Sequence, residues 1–277
     1  MEHSSTYSPI GVFDSGYGGL TVLKELVAHL PDYDYLYLGD NARAPYGSRS
    51  FDTVYEYTLE CVTHLFDRGC ELIILACNTA SAKALRTIQQ KNLSAFGPGK
   101  RVLGVIRPTA EIVGDYSKTG HVGVFATNGT VTSGSYPIEI GKSFPALQVF
   151  QEACPMWVPL IENNELNNPG TEYFVKQYID RLFVQSRYID TIILACTHYP
   201  ILKEEINRHL PAGVTLLSQG NIVAHSLEDY LNRHTDMKER LSKNSTLNFL
   251  TTDTAGLFDE QASLFFGAPV SSQHLAL

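Results

Sequence analysis

No run in this chain is long and apolar enough to span a bilayer: the longest, such as Leu72 to Ala76, fall far short of the roughly 20 residues a membrane helix needs. The polar start, Met1 to Ser8, lacks the basic head and apolar stretch of a secretory leader, so a cytosolic location is expected. Cysteine is scarce and odd in number, five in all, with no C-x-x-C pair. That excludes a disulfide framework or zinc ribbon and leaves free thiols. Basic runs are absent, and 21 Lys and Arg stand against 29 Asp and Glu for a net charge of −8. Neither nucleic acid nor an anionic membrane is therefore expected as the main partner. An anionic small molecule stays open, because backbone N–H groups at helix starts can make a pocket locally positive.

What is present is a 277-residue chain, 44% hydrophobic and 10% aromatic, long enough for two domains that each bury a core. Short β-branched or apolar runs alternate with longer segments of helical period, the rhythm of an α/β fold with mainly parallel sheets. Strands are predicted near Ile10–Phe13, Tyr35–Leu38, Leu72–Leu75, Val102–Val105, Val122–Phe125, Gln148–Gln151, Thr191–Leu194 and Leu247–Thr251. Between Ser50 and Gly69 a helix is predicted, capped by Ser50 and ended by Gly69 in the left-handed conformation. Val54, Tyr57, Cys61 and Leu65 recur at steps of three and four, so that Cys61 reads as core.

The most informative feature is an internal echo. Ile73-Ile74-Leu75-Ala76-Cys77 returns letter for letter as Ile192-Ile193-Leu194-Ala195-Cys196. At nearly the same displacement, Gly11-Val12-Phe13 before Asp14-Ser15-Gly16 returns as Gly123-Val124-Phe125 before Ala126-Thr127-Asn128. Two echoes in one order point to a duplicated α/β unit. Strand ends are where such sheets bind ligands. If the halves face each other across a pseudo-two-fold axis, one cysteine approaches a ligand in the cleft from each side.

Inverting an amino-acid α-carbon requires one group to take a proton from one face and another to return one on the opposite face. Cysteine suits both roles, since its reference pKa of about 8.5 lies near neutrality. Cys77 precedes Asn78-Thr79-Ala80 and a helical stretch from Ser81 to Lys91; Cys196 precedes Thr197-His198-Tyr199-Pro200 and a stretch from Ile201 to Leu210. Both read as strand, reactive residue, helix start, a placement that favours the thiolate. Asn78, Thr79 and Thr197 are candidates to hold the α-carboxylate. The bland alternative makes both cysteines small buried hydrophobes, the role assigned to Cys70 and Cys154. A metal held by Cys77, Cys196 and His198 lacks a further spaced ligand, and His198 is better placed to tune or relay protons.

The glycine-rich run Asp14-Ser15-Gly16-Tyr17-Gly18-Gly19 fails the dinucleotide fingerprint, with Thr21 where its third glycine belongs, and no Walker lysine follows. These glycines are expected to bring backbone close to a small substrate, with Asp14 and Ser15 as contacts. Gly39 to Gly47 forms a polar loop in which Arg43 is a candidate for a substrate carboxylate or, alternatively, a solvated arginine.

Taken in order, Gly11 to Leu20, Tyr37 to Asp40, Ala44 to Gly47, Ala76 to Ala80, Thr127 with Gly129-Thr130, Val158 to Glu162 and Cys196 to Pro200 closely resemble bacterial glutamate racemases of the aspartate/glutamate racemase superfamily. The resemblance implies two α/β domains, 1–106 plus 218–277 and 107–217, with the active site between them. It implies cofactor-independent interconversion of L- and D-glutamate, with no metal, supplying D-glutamate for peptidoglycan. Cys77 would handle the D-enantiomer's proton with help from Asp14, and Cys196 the L-enantiomer's with help from Glu162 and His198. Asp14, Ser15, Pro45, Tyr46, Gly47, Asn78, Thr79, Thr127, Thr130, Thr197 and His198 would line the pocket. His198, where aspartate-specific relatives tend to carry an acid, favours glutamate. Departures stand at Arg107 before Pro108 and at Ser218-Gln219-Gly220, where relatives often carry acids; they bear on local packing and domain coupling. Members commonly form homodimers, and with little chain before Ile10 the precursor regulation of longer relatives is not expected. The rivals are an aspartate or hydantoin racemase, a two-lobed binding protein, and a cysteine hydrolase that would leave Cys77 idle.

Overall fold

The computed structural model describes residues 7–277, so most of the polar start on which the location reading rests lies outside the described residues. Among the described residues two all-parallel sheets form. The first is built from β1 (Ile10–Asp14), β2 (Tyr35–Gly39), β3 (Leu72–Leu75), β4 (Arg101–Gly104), β9 (Leu247–Thr251) and β10 (Ser272–His274), in the order β10-β9-β2-β1-β3-β4. The second is built from β5 (His121–Ala126), β6 (Gln148–Ala153), β7 (Thr191–Ala195) and β8 (Thr215–Leu217), in the order β6-β5-β7-β8.

The order 2-1-3-4 in the first sheet and 6-5-7-8 in the second is one topology used twice. Both sequence echoes fall on matched strands, β1 with β5 and β3 with β7. Helices cover both faces of a parallel sheet, so its central strands bury every side chain; β1, β2, β3 and β7 are buried along their whole length. The chain then returns to the first sheet, where β9 joins β2 and β10 joins β9. One apolar cluster runs through both sheets, joining Val12 and Ile74 to Phe125, Ile192 and Leu194.

Local signals explain the helix at Phe51–Asp67. The Ser50 hydroxyl accepts from the Thr53 N–H at 3.1 Å, and Gly69 ends the turn at φ +90. Val54, Cys61 and Leu65 are fully buried on its inner face, whereas Tyr57 is only half-buried. Two expected helix starts are corrected. The helix after Cys77 begins at once, spanning Asn78–Lys83, because the Cys77 sulfur itself caps it by accepting from the Ala80 N–H at 3.4 Å. After Cys196 there is no α-helix start: Tyr199–Leu202 is a 3-10 turn, and the α-helix Lys203–His209 follows. Pro200 lacks an amide hydrogen, which suits that tight first turn.

No helix among the described residues is long and apolar enough to cross a membrane. Arg107, a noted departure, is an exposed partner of Glu111 at 2.6 Å one helical turn on.

Candidate active site

At the C-terminal ends of the strands, loops from both sheets enclose a cavity of about 140 Å³. Ser15, Pro45, Tyr46, Gly47, Cys77, Asn78 and Thr79 wall it from the first sheet; Thr127, Glu162, Cys196, Thr197 and His198 wall it from the second. Asp14 and Thr130, expected in the lining, stand behind it. The Asp14 carboxylate is fully buried, accepting from the Gly16 N–H at 2.9 Å and the Thr197 hydroxyl at 3.3 Å. Thr130 lies behind Thr127 and Thr79, with the hydroxyls of Thr79 and Thr127 2.9 Å apart.

Cys77 sits in a neutralising environment. Its sulfur lies 3.4 Å from the Ser15 hydroxyl and 3.4 Å from the Ala80 N–H. Burial, then the nearby Asp14 carboxylate, push the thiol up to about 12, with Cys196 adding to the same effect. This overturns the expectation that a helix start makes Cys77 a thiolate. Two hydrogen bonds at a six-residue helix do not offset the loss of water and the neighbouring acid. Burial also raises the Asp14 carboxyl, opposed by the charge of His198 and by its hydrogen bonds.

Cys196 faces a different neighbour. His198 Nδ1 is 3.9 Å from its sulfur, and Nε2 is 2.9 Å from Glu162 Oε1. Burial by itself pulls the imidazole down, but its bonds to Cys196 and Glu162 outweigh that and push it up to about 10. At neutral pH His198 is therefore a cation between a sulfur and a carboxylate.

Glycines bring these elements together. A Cβ on Gly18 would lie 2.2 Å from Thr197 Oγ1 and 2.4 Å from His198 Nδ1, so only glycine lets this loop lie against the Cys196 turn. Thr21 fastens the same junction, donating to the Thr197 carbonyl at 2.9 Å. On the opposite side the Gly129 N–H donates to the Gly47 carbonyl at 2.8 Å, docking the Thr127 loop on the Pro45 loop.

Arg43 is neither solvated nor in the cavity wall. It pairs with Asp40 at 2.7 Å and Glu60 at 2.5 Å and touches the Cys61 sulfur at 3.4 Å, while Asp40 also accepts from the Tyr46 hydroxyl. Its role is to brace the loop that presents Tyr46 and Gly47.

Sequence reasoning missed further wall residues, among them Ser48, Asn128, Cys154, Pro155, Val158 and Pro159. The repeat carried the signal for some of them. Since β6 is the counterpart of β2, the segment following β6 should wall the second side as Pro45 to Ser48 wall the first. Cys154, expected in a loop, immediately follows β6 and is fully buried.

Residues 10–227 match the model of the Asp/Glu/hydantoin racemase family, a span that holds every residue of the cavity wall. The chain belongs to that family. A glutamate racemase of Persephonella marina is 38% identical over 97% of each chain, and one of Roseobacter denitrificans is 40% identical over 92% of this chain and 96% of the relative. Among solved structures, glutamate racemase isoform RacE1 of Bacillus anthracis superposes with a TM-score of 0.88 at 34% identity over 98% of both chains. The Francisella tularensis glutamate racemase, solved with D-glutamate, reaches 0.84 at 32% identity over 97% of both. These agree with the two parallel sheets and with the resemblance drawn from the motifs.

Proposed function

We propose that this chain racemises glutamate without a cofactor, using Cys77 and Cys196 as paired acid and base on opposite faces of the α-carbon. One observation carries the reading: the two repeated cysteines, at equivalent strand ends of two sheets, border one small cavity. In the L to D direction the Cys196 sulfur takes the α-proton, the C–H bond breaks, and the Cys77 thiol gives its proton to the opposite face. The enzyme ends with the two protonation states exchanged, and the reverse reaction restores them. Cys77, a thiol at neutral pH, is set to donate; His198, held by Glu162, supplies positive charge beside the sulfur that must accept.

Among the described residues no Arg or Lys borders the cavity, so the substrate carboxylates are held by hydroxyls, amides and backbone N–H groups around Ser15, Asn78, Thr79, Thr127 and Thr197. Asp14 and Thr130 act from behind that wall. The two sheets serve as the cores of domains 1–106 plus 218–277 and 107–217. The product D-glutamate feeds peptidoglycan synthesis in the cytoplasm, and the protein works as a homodimer.

The test is α-deuteration in heavy water with no added cofactor. L-glutamate is expected to gain deuterium at the α-carbon and to lose optical activity, while L-aspartate does neither. Undiminished turnover of aspartate would instead move the chain to the aspartate branch, and no exchange with either would end the two-thiol reading.

A further inference from the structure

Behind the cavity wall three side chains from distant parts of the chain close a ring of hydrogen bonds. Asn78 Nδ2 donates to Gln219 Oε1 at 2.7 Å, Gln219 Nε2 donates to the Tyr136 hydroxyl at 2.8 Å, and that hydroxyl donates to Asn78 Oδ1 at 2.7 Å. All three are buried: Asn78 and Gln219 nearly so, Tyr136 completely. Gln219 opens the helix Gln219–Arg233, Tyr136 belongs to the helix Ser135–Ser143 beside the second sheet, and Asn78 follows Cys77.

The ring has one consistent orientation. Gln219 Nε2 also lies 3.1 Å from the Val105 backbone carbonyl, which can only accept. That end of Gln219 must therefore be the NH₂ end. Its oxygen then faces Asn78 and requires the nitrogen of that amide. Tyr136, already accepting from Gln219, has its one hydrogen left for Asn78 Oδ1. A peptide carbonyl thus sets the rotation of the Asn78 amide through two intermediate groups. With Oδ1 taken and one Nδ2 hydrogen on Gln219, the second Nδ2 hydrogen has no acceptor among the described residues, and Asn78 lines the cavity.

We propose that Gln219 and Tyr136 are positioning residues that lock the Asn78 amide so that it offers the substrate an N–H and never a carbonyl oxygen. The inference rests on the reading of this cavity as the glutamate site. A rotated amide would aim a lone pair at an anionic carboxylate, whereas the locked one donates to it. Because buried amides rotate between two states of equal shape, packing alone does not select between them. The ring does: reversing Asn78 alone sets its oxygen against Gln219 Oε1, and reversing both amides sets Gln219 Oε1 against the Val105 carbonyl.

The experiment is steady-state kinetics on Tyr136→Phe, which removes one oxygen and leaves the ring system in place. KM for L-glutamate is expected to rise about 10-fold, the order of one hydrogen bond to a charged group, with kcat within about threefold of wild type. In an Asn78→Ala background the same substitution should change KM less than about twofold, because nothing remains to be oriented. Gln219→Met serves as the second variant, with the same split between KM and kcat. Thermal unfolding of each variant identifies any that does not fold. An unchanged KM in Tyr136→Phe, or an equal rise with and without Asn78, overturns the proposal while leaving the glutamate reading intact. A wild-type protein that does not turn over glutamate overturns both.

Discussion

The two sulfurs sit at the ends of identical pentapeptides, yet their surroundings have opposite character. At the end of β3, Cys77 caps a helix, touches a hydroxyl and lies near a buried acid, and its thiol is driven up to about 12. At the end of β7, Cys196 opens a tight turn and lies beside an imidazole that stays protonated to about pH 10. The duplicated strand supplies position; the residues that break the repeat supply chemistry. Asn78 and Thr79 follow one cysteine, Thr197 and His198 the other, and Asp14 and Glu162 arrive from separate loops. The two-base reaction proposed above needs such asymmetry, because its resting form must hold one proton donor and one acceptor.

The largest test of that comparison removes either sulfur. Cys77→Ser and Cys196→Ser should each lower racemisation by about 10⁴-fold, since a serine hydroxyl is a poor base and a poor acid here. The two should differ in what remains: Cys77→Ser still exchanging the α-hydrogen of L-glutamate, Cys196→Ser that of D-glutamate, as read by mass spectrometry in heavy water. Identical exchange patterns would erase the distinction between the halves.

His198→Asn should cost about 100-fold in kcat/KM. With an equilibrium constant of one between enantiomers, kcat/KM must fall equally in both directions, so the asymmetry appears elsewhere. The kinetic isotope effect should grow for α-deuterated L-glutamate and not for the D-enantiomer, because the Cys196 step becomes the slow one. Equal growth for both would place His198 at the service of both sulfurs.

Gly18→Ala tests the junction between the halves. Its new methyl meets Thr197 and His198, and a loss of about 1–3 kcal/mol is expected from the denaturant midpoint, with turnover reduced alongside. Wild-type stability would mean that the Cys196 turn yields to the loop.

The smallest effect is a slope. Because the folded state raises His198 above its ordinary 6.5, the stabilisation from this group is complete below that pH and fades as pH climbs toward about 10. Cys77 adds a second window, from its ordinary 9.0 to about 12, in which the unfolded chain has lost a proton that the folded chain retains; stability falls across it too. Stability measured by denaturation between pH 9 and 11 should therefore fall less steeply in Cys77→Ser than in wild type, and parallel curves would count against a thiol held protonated by the fold.

Much of this architecture was legible because parallel strands buried on both faces advertise themselves as unbroken apolar runs, as β1, β3 and β7 do. The strands that escaped notice were β8, Thr215–Leu217, and β10, Ser272–His274. Both are three-residue edge strands, too short for a pattern, and β10 is polar throughout. The start of the helix after Cys77 was misread because a sulfur does the capping that oxygen usually does. Within the site, motifs marked the polar residues but gave no depth: nothing in the letters separates Asp14, one layer back, from Ser15, in the wall. Arg43 was misjudged for the same reason, since its partner Glu60 lies a helical segment away. Val158 and Pro159 carried no chemical mark at all; apolar walls are read from shape.

All five cysteines of this chain are nearly shielded, but unequally. Cys61, Cys70 and Cys154 have no exposed surface, while Cys77 and Cys196 keep 5% and 7%. A small alkylating reagent arriving by way of the opening should thus find Cys77 and Cys196 first, and a bound ligand should shield both. The protein carries its own occupancy gauge, with Cys61 and Cys70, which lie outside the cavity wall, as the internal standard.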